Sequence, residues 1–400
     1  MKFALLSLIA GCTLLGTTAT AQCPAGRYNS ELFSSFTKTT VTYSDVYNLQ
    51  MNVYQPDGDT YPNRPVMILA HGGSFIGGDK DADGTVNELC ERFAKRGYVT
   101  ASIDYRLGNL FSMASDSVEA INTVIKAISD GKAAVRFFVK DAATTNTYHV
   151  DTNNIFVGGN SAGAVLYMHV GYLSSIDECP PHIAASMAAN GGFEGNSGND
   201  GYTTKTKAVI NLAGALNSTS FVNLWDKPSV NAHGTADNTV PYNCGWPLSG
   251  VVHVTLCGLG ELEPVYTANS VYHYSKIYEG ADHVPWSSDA AMFNSVDSMT
   301  EEFCYNLICT GAAGVKEAHA STEVQIYPNP AGTSANIHTA SPMRSVAILD
   351  PTGRIVLMAD GIDNTSYNIN TAILIPGNYI VRTTFRDSNL LPVVKKLTIQ

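Results

Sequence analysis

Several things are scarce in this chain of 400 residues, and each scarcity removes a class of function. Charged side chains make up only 15% of it, the formal net charge is −11, and no basic run occurs. Nucleic acid, whose binding demands clustered Lys and Arg, is therefore not an expected partner. No apolar run reaches the roughly 18 residues that a membrane-crossing helix needs, so no transmembrane segment is expected. The spacing C-x-x-C never appears, which disfavours a zinc knuckle or a thiol redox motif, and no metal or organic cofactor is called for.

What is present begins with the first 21 residues. Lys2, the apolar stretch Phe3 to Leu15 and the sequence Ala19-Thr-Ala21 have the layout of an export leader. Ile9-Ala-Gly-Cys12 offers a less favoured lipoprotein-type alternative. Export permits disulfides, and seven cysteines follow the leader. An odd number leaves at least one thiol unpaired. Cys244 with Cys257 is the preferred pair because it closes a short irregular segment, and Cys304 or Cys309 could staple Cys23.

Two patterns divide the remainder. In 22–309 apolar strand-length runs alternate with helical periodicity: Arg64–Ala70, then Val86–Arg96, then Tyr98–Asp104, then an amphipathic stretch from Val118 to Val139. Further strands are expected at Asn154–Gly158, Ala208–Leu212, Ser229–Ala232 and Tyr272–Tyr278, with a helix over Asp289–Leu307. Phe36–Ser44 and Asn48–Gln55 suggest an antiparallel edge pair. Such alternation predicts a mostly parallel α/β sheet covered on both faces. Residues 310–323 are small or polar and read as a linker. In 324–400 short strands recur without helix, with a turn at Asp350-Pro-Thr-Gly353, and predict a small immunoglobulin-like β-sandwich.

Chemistry concentrates around Gly159-Asn-Ser161-Ala-Gly163, set between an apolar strand and a helix-prone run. A serine there sits at the tip of a sharp strand-to-helix turn, and glycines are needed where the two backbones approach. A serine hydroxyl needs a base, an acid to orient that base, and backbone donors for the oxyanion. His71-Gly-Gly-Ser-Phe75 follows a strand, so Gly72 and Gly73, joined by the N–H of Ala162, are the expected donors. Asp237, in the loop after Ser229–Ala232, is the expected acid, with Asp226 and Asp282 as rivals. His283, in the loop before the last helix of its domain, is the expected base. Asp79-Lys-Asp-Ala-Asp-Gly84 imitates the start of a calcium loop, but its twelfth position is Cys90 where a glutamate is required; it reads as an acidic turn capping the next helix.

On these residues, together with Asp104-Tyr-Arg-Leu-Gly108, His233-Gly-Thr-Ala-Asp237 and Gly280-Ala-Asp-His283, the segment 22–309 resembles α/β-hydrolase carboxylesterases of the hormone-sensitive-lipase and feruloyl-esterase-like type. The resemblance implies Ser161 as nucleophile, His283 as base and Asp237 as its orienter. Many relatives carry a third glycine where this chain has Ser74. A serine is disfavoured at positive φ, so Ser74 is left out of the donor set. Residues 324–400, through Tyr327-Pro-Asn-Pro330, Pro376-Gly-Asn-Tyr379 and Lys396-Leu-Thr-Ile-Gln400, resemble the C-terminal sorting domain of type IX secretion cargo. That resemblance implies a Bacteroidetes protein sent to the cell surface or medium.

The expected activity is a serine carboxylic-ester hydrolase acting on short-chain, aryl or polymer-attached acyl esters. A serine peptidase or polyester depolymerase of the same fold, or an inactive surface binding protein, are the alternatives. The segment 174–205, where relatives often build a cap, is polar and glycine-rich, which suggests an open site.

Overall fold

The computed structural model describes residues 23–24, 26–310, 324–350, 355–386 and 393–400. The expected leader, all but the first residue of the linker 310–323 and all but the first residue of the turn 350–353 lie outside the described residues.

The edge pair β1 (Phe36–Ser44) and β2 (Leu49–Pro56) is antiparallel. β3 (Arg64–Ala70) follows, buried at every position, as a continuous apolar run requires in a two-faced sheet. α1 (Gly84–Lys95) is capped by Asp83, whose carboxylate accepts the N–H groups of Thr85 and Val86. β4 (Val99–Ile103), α2 (Leu110–Ser115) and the long α3 (Ser117–Ala143) lead to β5 (Val150–Asn160). α4 (Ala162–Tyr172) leaves β5 directly and is buried along its whole length. Next come α5 (Pro181–Ala189), β6 (Ala208–Leu212) and β7 (Ser229–Gly234).

A disulfide between Cys244 and Cys257 then closes a segment with a two-residue ladder, β8 (Cys244–Gly245) with β9 (Leu256–Cys257), around the turn α6 (Pro247–Gly250). α7 (Leu259–Ala268), β10 (His273–Tyr278) and α8 (Ala290–Tyr305) complete this region. A second disulfide joins Cys23 to Cys309; Cys90, Cys179 and Cys304 are free. Both pairs fall among those the spacing suggested.

The sheet order is β1-β2-β4-β3-β5-β6-β7-β10, antiparallel at β1, β2 and β4 and parallel from β4 onward. Chain order reverses between β3 and β5, and in open sheets ligands bind in the crevice outside the carboxyl ends of the strands at such a point. One face of the sheet packs on α3 and α4 through Ile125, Val135, Val165 and Leu166, the other on α1 and α8 through Leu89, Phe93, Val296 and Phe303. Asp297 locks the second face, accepting bidentate bonds from Arg96 at 2.6 and 2.8 Å and one from Arg92 at 2.9 Å.

The segment after α4 does not cap the site. Its loop wraps α3 instead: Asn196 N–H donates to Ser129 Oγ at 2.9 Å, and the Arg136 guanidinium donates to the Gly198 carbonyl at 3.1 Å.

The C-terminal region is all antiparallel β: β11 (Val324–Tyr327), β12 (Ser334–Leu349), β13 (Ile355–Asn370), β14 (Gly377–Phe385) and β15 (Val393–Ile399). β12 and β13, at 16 residues each, are longer than the short runs read from the sequence, whereas β15 spans the run Val393–Ile399 that the sequence suggested. A register break between His338 and Met343 lets one edge of β12 serve β11 and then β14, while β13 pairs along the other. Ala335, Ile337, Val346, Ile348, Val381 and Leu397 fill its core.

Candidate active site

Ser161 stands between the end of β5 and the start of α4 with φ 55° and ψ −119°. That strained geometry forces its side chain out of the turn, and it survives because the surroundings over-determine it. Ser161 N–H donates to the Leu212 carbonyl at 2.8 Å, anchoring the turn to β6. A Cβ on Gly159 or Gly163 would run into the Ala70 carbonyl, so both glycines are required by backbone approach.

His283 Nε2 lies 2.7 Å from Ser161 Oγ, and His283 Nδ1 lies 2.7 Å from Asp237 Oδ2. A carboxylate can only accept, so Nδ1 carries the proton and Nε2 is left to accept from the serine hydroxyl. Asp237 is fully buried at its side chain, and Oδ1 accepts the N–H groups of Thr239 and Val240, each at 2.9 Å. Burial alone would raise its carboxyl pKa; hydrogen bonds from His233 and His283, with the Val240 N–H, outweigh that and hold it well below the usual carboxylate range. The arrangement can pass the Ser161 proton to an imidazole whose positive charge Asp237 stabilises. The rivals stand elsewhere: Asp226 accepts from the N–H groups of Asn223 and Lys227, and Asp282 from that of His283.

The donor loop differs from the sequence reading at two positions. Gly72 N–H donates to Asp83 Oδ2 at 2.9 Å and is therefore committed, so Gly72 leaves the expected donor set. Ser74 has φ 55° and Phe75 φ 63°, so serine does occupy the left-handed conformation that its chemistry disfavours. Among the described residues no acceptor engages the N–H groups of Gly73, Ser74 or Ala162. Gly73 and Ser74 share a cavity wall with Ser161, and Ser74 and Ala162 share another.

Asp83 also accepts from Asn160 Nδ2 at 3.1 Å, and Asn160 Oδ1 accepts the Trp286 indole N–H at 3.1 Å. One carboxylate thus caps α1, holds the loop after β3, and links through Asn160 to the segment that carries His283. Sequence reading found only the cap, because the second role needs a partner 77 positions away. His233 was likewise seen only as a motif neighbour. Its Nε2 faces two acceptors, the Val240 carbonyl at 3.0 Å and Asp237 Oδ2 at 3.3 Å, so it carries the proton and gives Asp237 a further donor. His71 is buried against Tyr105, ring centroids 4.3 Å apart, and bonds the Gly72 carbonyl through Nδ1 rather than reaching Ser161. Of the acidic turn, Asp81 pairs with Lys38 at 2.6 Å and Asp79 accepts the Asp81 N–H.

Two unlike spaces meet at Ser161. A broad groove of about 860 Å³ runs over His283, Thr85, Glu88, Arg92, Ser287 and Asn294. A narrow cavity of about 70 Å³ lies on the other side, walled by Phe75, Met113, Val165, Val240 and Leu248.

Known proteins resemble the chain in two separate stretches. Residues 51–217 match the BD-FAE family, and residues 325–400 match the secretion system C-terminal sorting domain. A probable carboxylesterase 3 of Arabidopsis thaliana is 24% identical over 176 residues, which are 43% of this chain and 52% of that protein. The chain thus spans about half the length of this curated relative. Among solved structures, Thermogutta terrifontis esterase 2 phosphoramylated by tabun superposes with TM-score 0.50 at 20% identity, over 68% of this chain and 94% of that one. The butyrate-bound form of the same esterase gives TM-score 0.50 at 19% identity, over 70% and 97%. At these identities the likeness speaks for the fold. Residues 51–217 thus resemble the BD-FAE family, on an α/β fold shared with the solved esterase, and residues 325–400 resemble the secretion system C-terminal sorting domain.

Proposed function

We propose that this protein is a secreted serine carboxylic-ester hydrolase. The observation that carries the reading is the unbroken hydrogen-bonded series Ser161, His283 and Asp237 at 2.7 Å per step, set where a broad open groove meets an apolar cavity. In this mechanism Ser161 Oγ attacks the ester carbonyl as its proton passes to His283 Nε2. The N–H groups of Gly73, Ser74 and Ala162 receive the oxyanion. His283 returns the proton to the departing alcohol, leaving an acyl group on Ser161. Water, deprotonated by the same imidazole, then releases the acid and restores the serine.

The broad groove, with Glu88, Arg92 and Asn294 along it, suits the alcohol side, including an alcohol carried on a polymer, and the apolar cavity suits the acyl side. The sorting domain supports delivery by type IX secretion to the surface or medium. Among the described residues no helix is long and apolar enough to cross a membrane. We read 1–21 as the export leader, 22–309 as the catalytic domain, 310–323 as a linker and 324–400 as the delivery domain.

The test is hydrolysis of p-nitrophenyl butyrate beside Ser161→Ala. Loss of kcat on the order of 10⁶-fold, the scale seen when such a nucleophile is removed, with an unchanged melting curve, is expected. Equal rates in the two proteins would overturn the proposal, and cleavage of peptides in place of esters would move it to a peptidase.

A further inference from the structure

The apolar cavity at Ser161 does not end the apolar space on that side. A second cavity of about 60 Å³ lies beyond it, and the two share three wall residues, Val124, Val254 and Leu256. Val254 and Leu256 belong to the segment that the Cys244–Cys257 bridge closes, so covalent closure holds this shared wall. The far wall comes from the segment after α4: Cys179, Ile183 and Met187, opposite Ile128 of α3. This gives the insertion a place in the site that its sequence does not suggest. It backs a chamber behind the serine and leaves the mouth open. His169 also faces the chamber, but both ring nitrogens are occupied: Nδ1 donates to the Val165 carbonyl at 2.8 Å and Nε2 accepts the Asn217 N–H at 3.2 Å. Asn217, the other polar side chain on this wall, donates its amide to the Thr255 carbonyl at 2.9 Å, so the chamber is mainly apolar.

Size decides what kind of acyl group fits. A dry cavity of about 150 Å³ can take a benzene ring; the front chamber has less than half that volume. The front cavity is thus small for a flat aryl acid, and an unbranched chain is the shape that best suits passage between Val124, Val254 and Leu256. At about 30 Å³ per water-sized group, each chamber takes about two methylenes, with further carbons at the carbonyl and between the chambers. We propose that the acyl subsite is this two-chamber passage, and that it selects unbranched alkanoyl groups of about six to eight carbons over both acetyl and aryl acids. The proposal rests on the esterase reading above and narrows its acyl class.

The full chain is assayed on p-nitrophenyl acetate, butyrate, hexanoate, octanoate and dodecanoate and on a hydroxycinnamate ester. A buried methylene is worth about fourfold in binding, so kcat/KM should climb by about tenfold or more per added pair of carbons to hexanoate or octanoate and then fall. The hydroxycinnamate ester should be the poorest substrate. Ile183→Trp and Met187→Trp, which fill the rear chamber, should each lower the octanoate-to-butyrate ratio of kcat/KM at least tenfold. A wild-type measurement covers the case of misfolded variants. Ser161 carrying an octylphosphonate should slow alkylation of Cys179 at least fivefold relative to Ser161 carrying a methylphosphonate.

A profile that peaks at acetate or butyrate, preference for the hydroxycinnamate, or equal Cys179 alkylation under both phosphonates would overturn the passage while leaving the esterase intact. Failure to hydrolyse any ester would instead remove the esterase reading itself.

Discussion

Asp83 is the residue whose alteration tests most of the site's architecture at once. Its Oδ1 caps α1 through the Thr85 and Val86 N–H groups at 3.0 and 3.3 Å, and its Oδ2 takes Gly72 N–H at 2.9 Å and Asn160 Nδ2 at 3.1 Å. In Asp83→Ala the lost cap costs about 1 kcal/mol. Hydrogen bonds to a charged group add about 1.5–3 kcal/mol, reduced because Asp83 is partly exposed and water can replace it. The expected stability loss is therefore on the order of 2–3 kcal/mol, read by urea unfolding. Activity should fall further than stability implies. Gly72 precedes Gly73 and Ser74, whose amides are aimed by the same loop, and one misplaced oxyanion donor costs about 10²–10³ in kcat. A partial misalignment predicts a drop of about 30- to 100-fold in kcat on p-nitrophenyl butyrate, at a temperature where the variant is fully folded. Asparagine caps a helix as well as aspartate does, but it offers one oxygen where aspartate offers two. Asp83→Asn should therefore keep either the cap or the loop anchor, and lose the other. A kcat for Asp83→Ala within twofold of wild type would refute the claim that this carboxylate aims the loop.

Two further outcomes follow from side-chain pairs away from the serine. Asp297→Ala strands Arg96 in a buried position and should cost about 3–5 kcal/mol in chemical unfolding; a loss under 1 kcal/mol would mean that solvent reaches the pair. Glu263 and His273 meet at 3.2 Å. Burial opposes charge on both, but their hydrogen bond and mutual attraction prevail, so the Glu263 pKa is lowered and that of His273 is raised. The lowered carboxyl stabilises above its unfolded value of about 4.3 and loses that contribution as pH falls through its folded value; the raised imidazole stabilises below about 6.5 and loses it as pH rises through its own. The melting-temperature gap between wild type and Glu263→Gln should accordingly be wide near pH 5.5 and narrow at pH 8.5. A gap that widens with pH would contradict the pairing.

The sequence made the sheet and the serine turn legible for a common reason: both are local. Ala208–Leu212 is apolar and strand-length and forms a buried strand over those residues. Gly159 and Gly163 announce a backbone crossing. Asp237 and His283 could be chosen from rivals because each sits in a loop after a parallel strand, where side chains converge. Gly72 was misjudged because the competing acceptor, Asp83, lies across a loop 11 positions on and looked like a helix cap alone. Ser74 was misjudged because side-chain preference is a weak guide where a tight loop dictates the backbone. The rear chamber was invisible: its walls come from α3, α4, the insertion, the loop after β6 and the disulfide-closed segment, stretches with no local signal that they meet.

The bridge from Cys23 to Cys309 has a consequence for the protein's life outside the cell. It turns the polypeptide between those residues into a ring of 286 residues' separation. Exopeptidases advance from chain ends, and a cut anywhere after Cys309 would leave the ring whole. Closing so long a loop removes unfolded-state freedom worth on the order of 5 kcal/mol. The second thiol is also among the last residues of that ring to be synthesised, so the clasp closes only once the whole ring has been made and has reached an oxidising compartment. The hydrolase would therefore gain its full robustness after export, in the place where proteases are met.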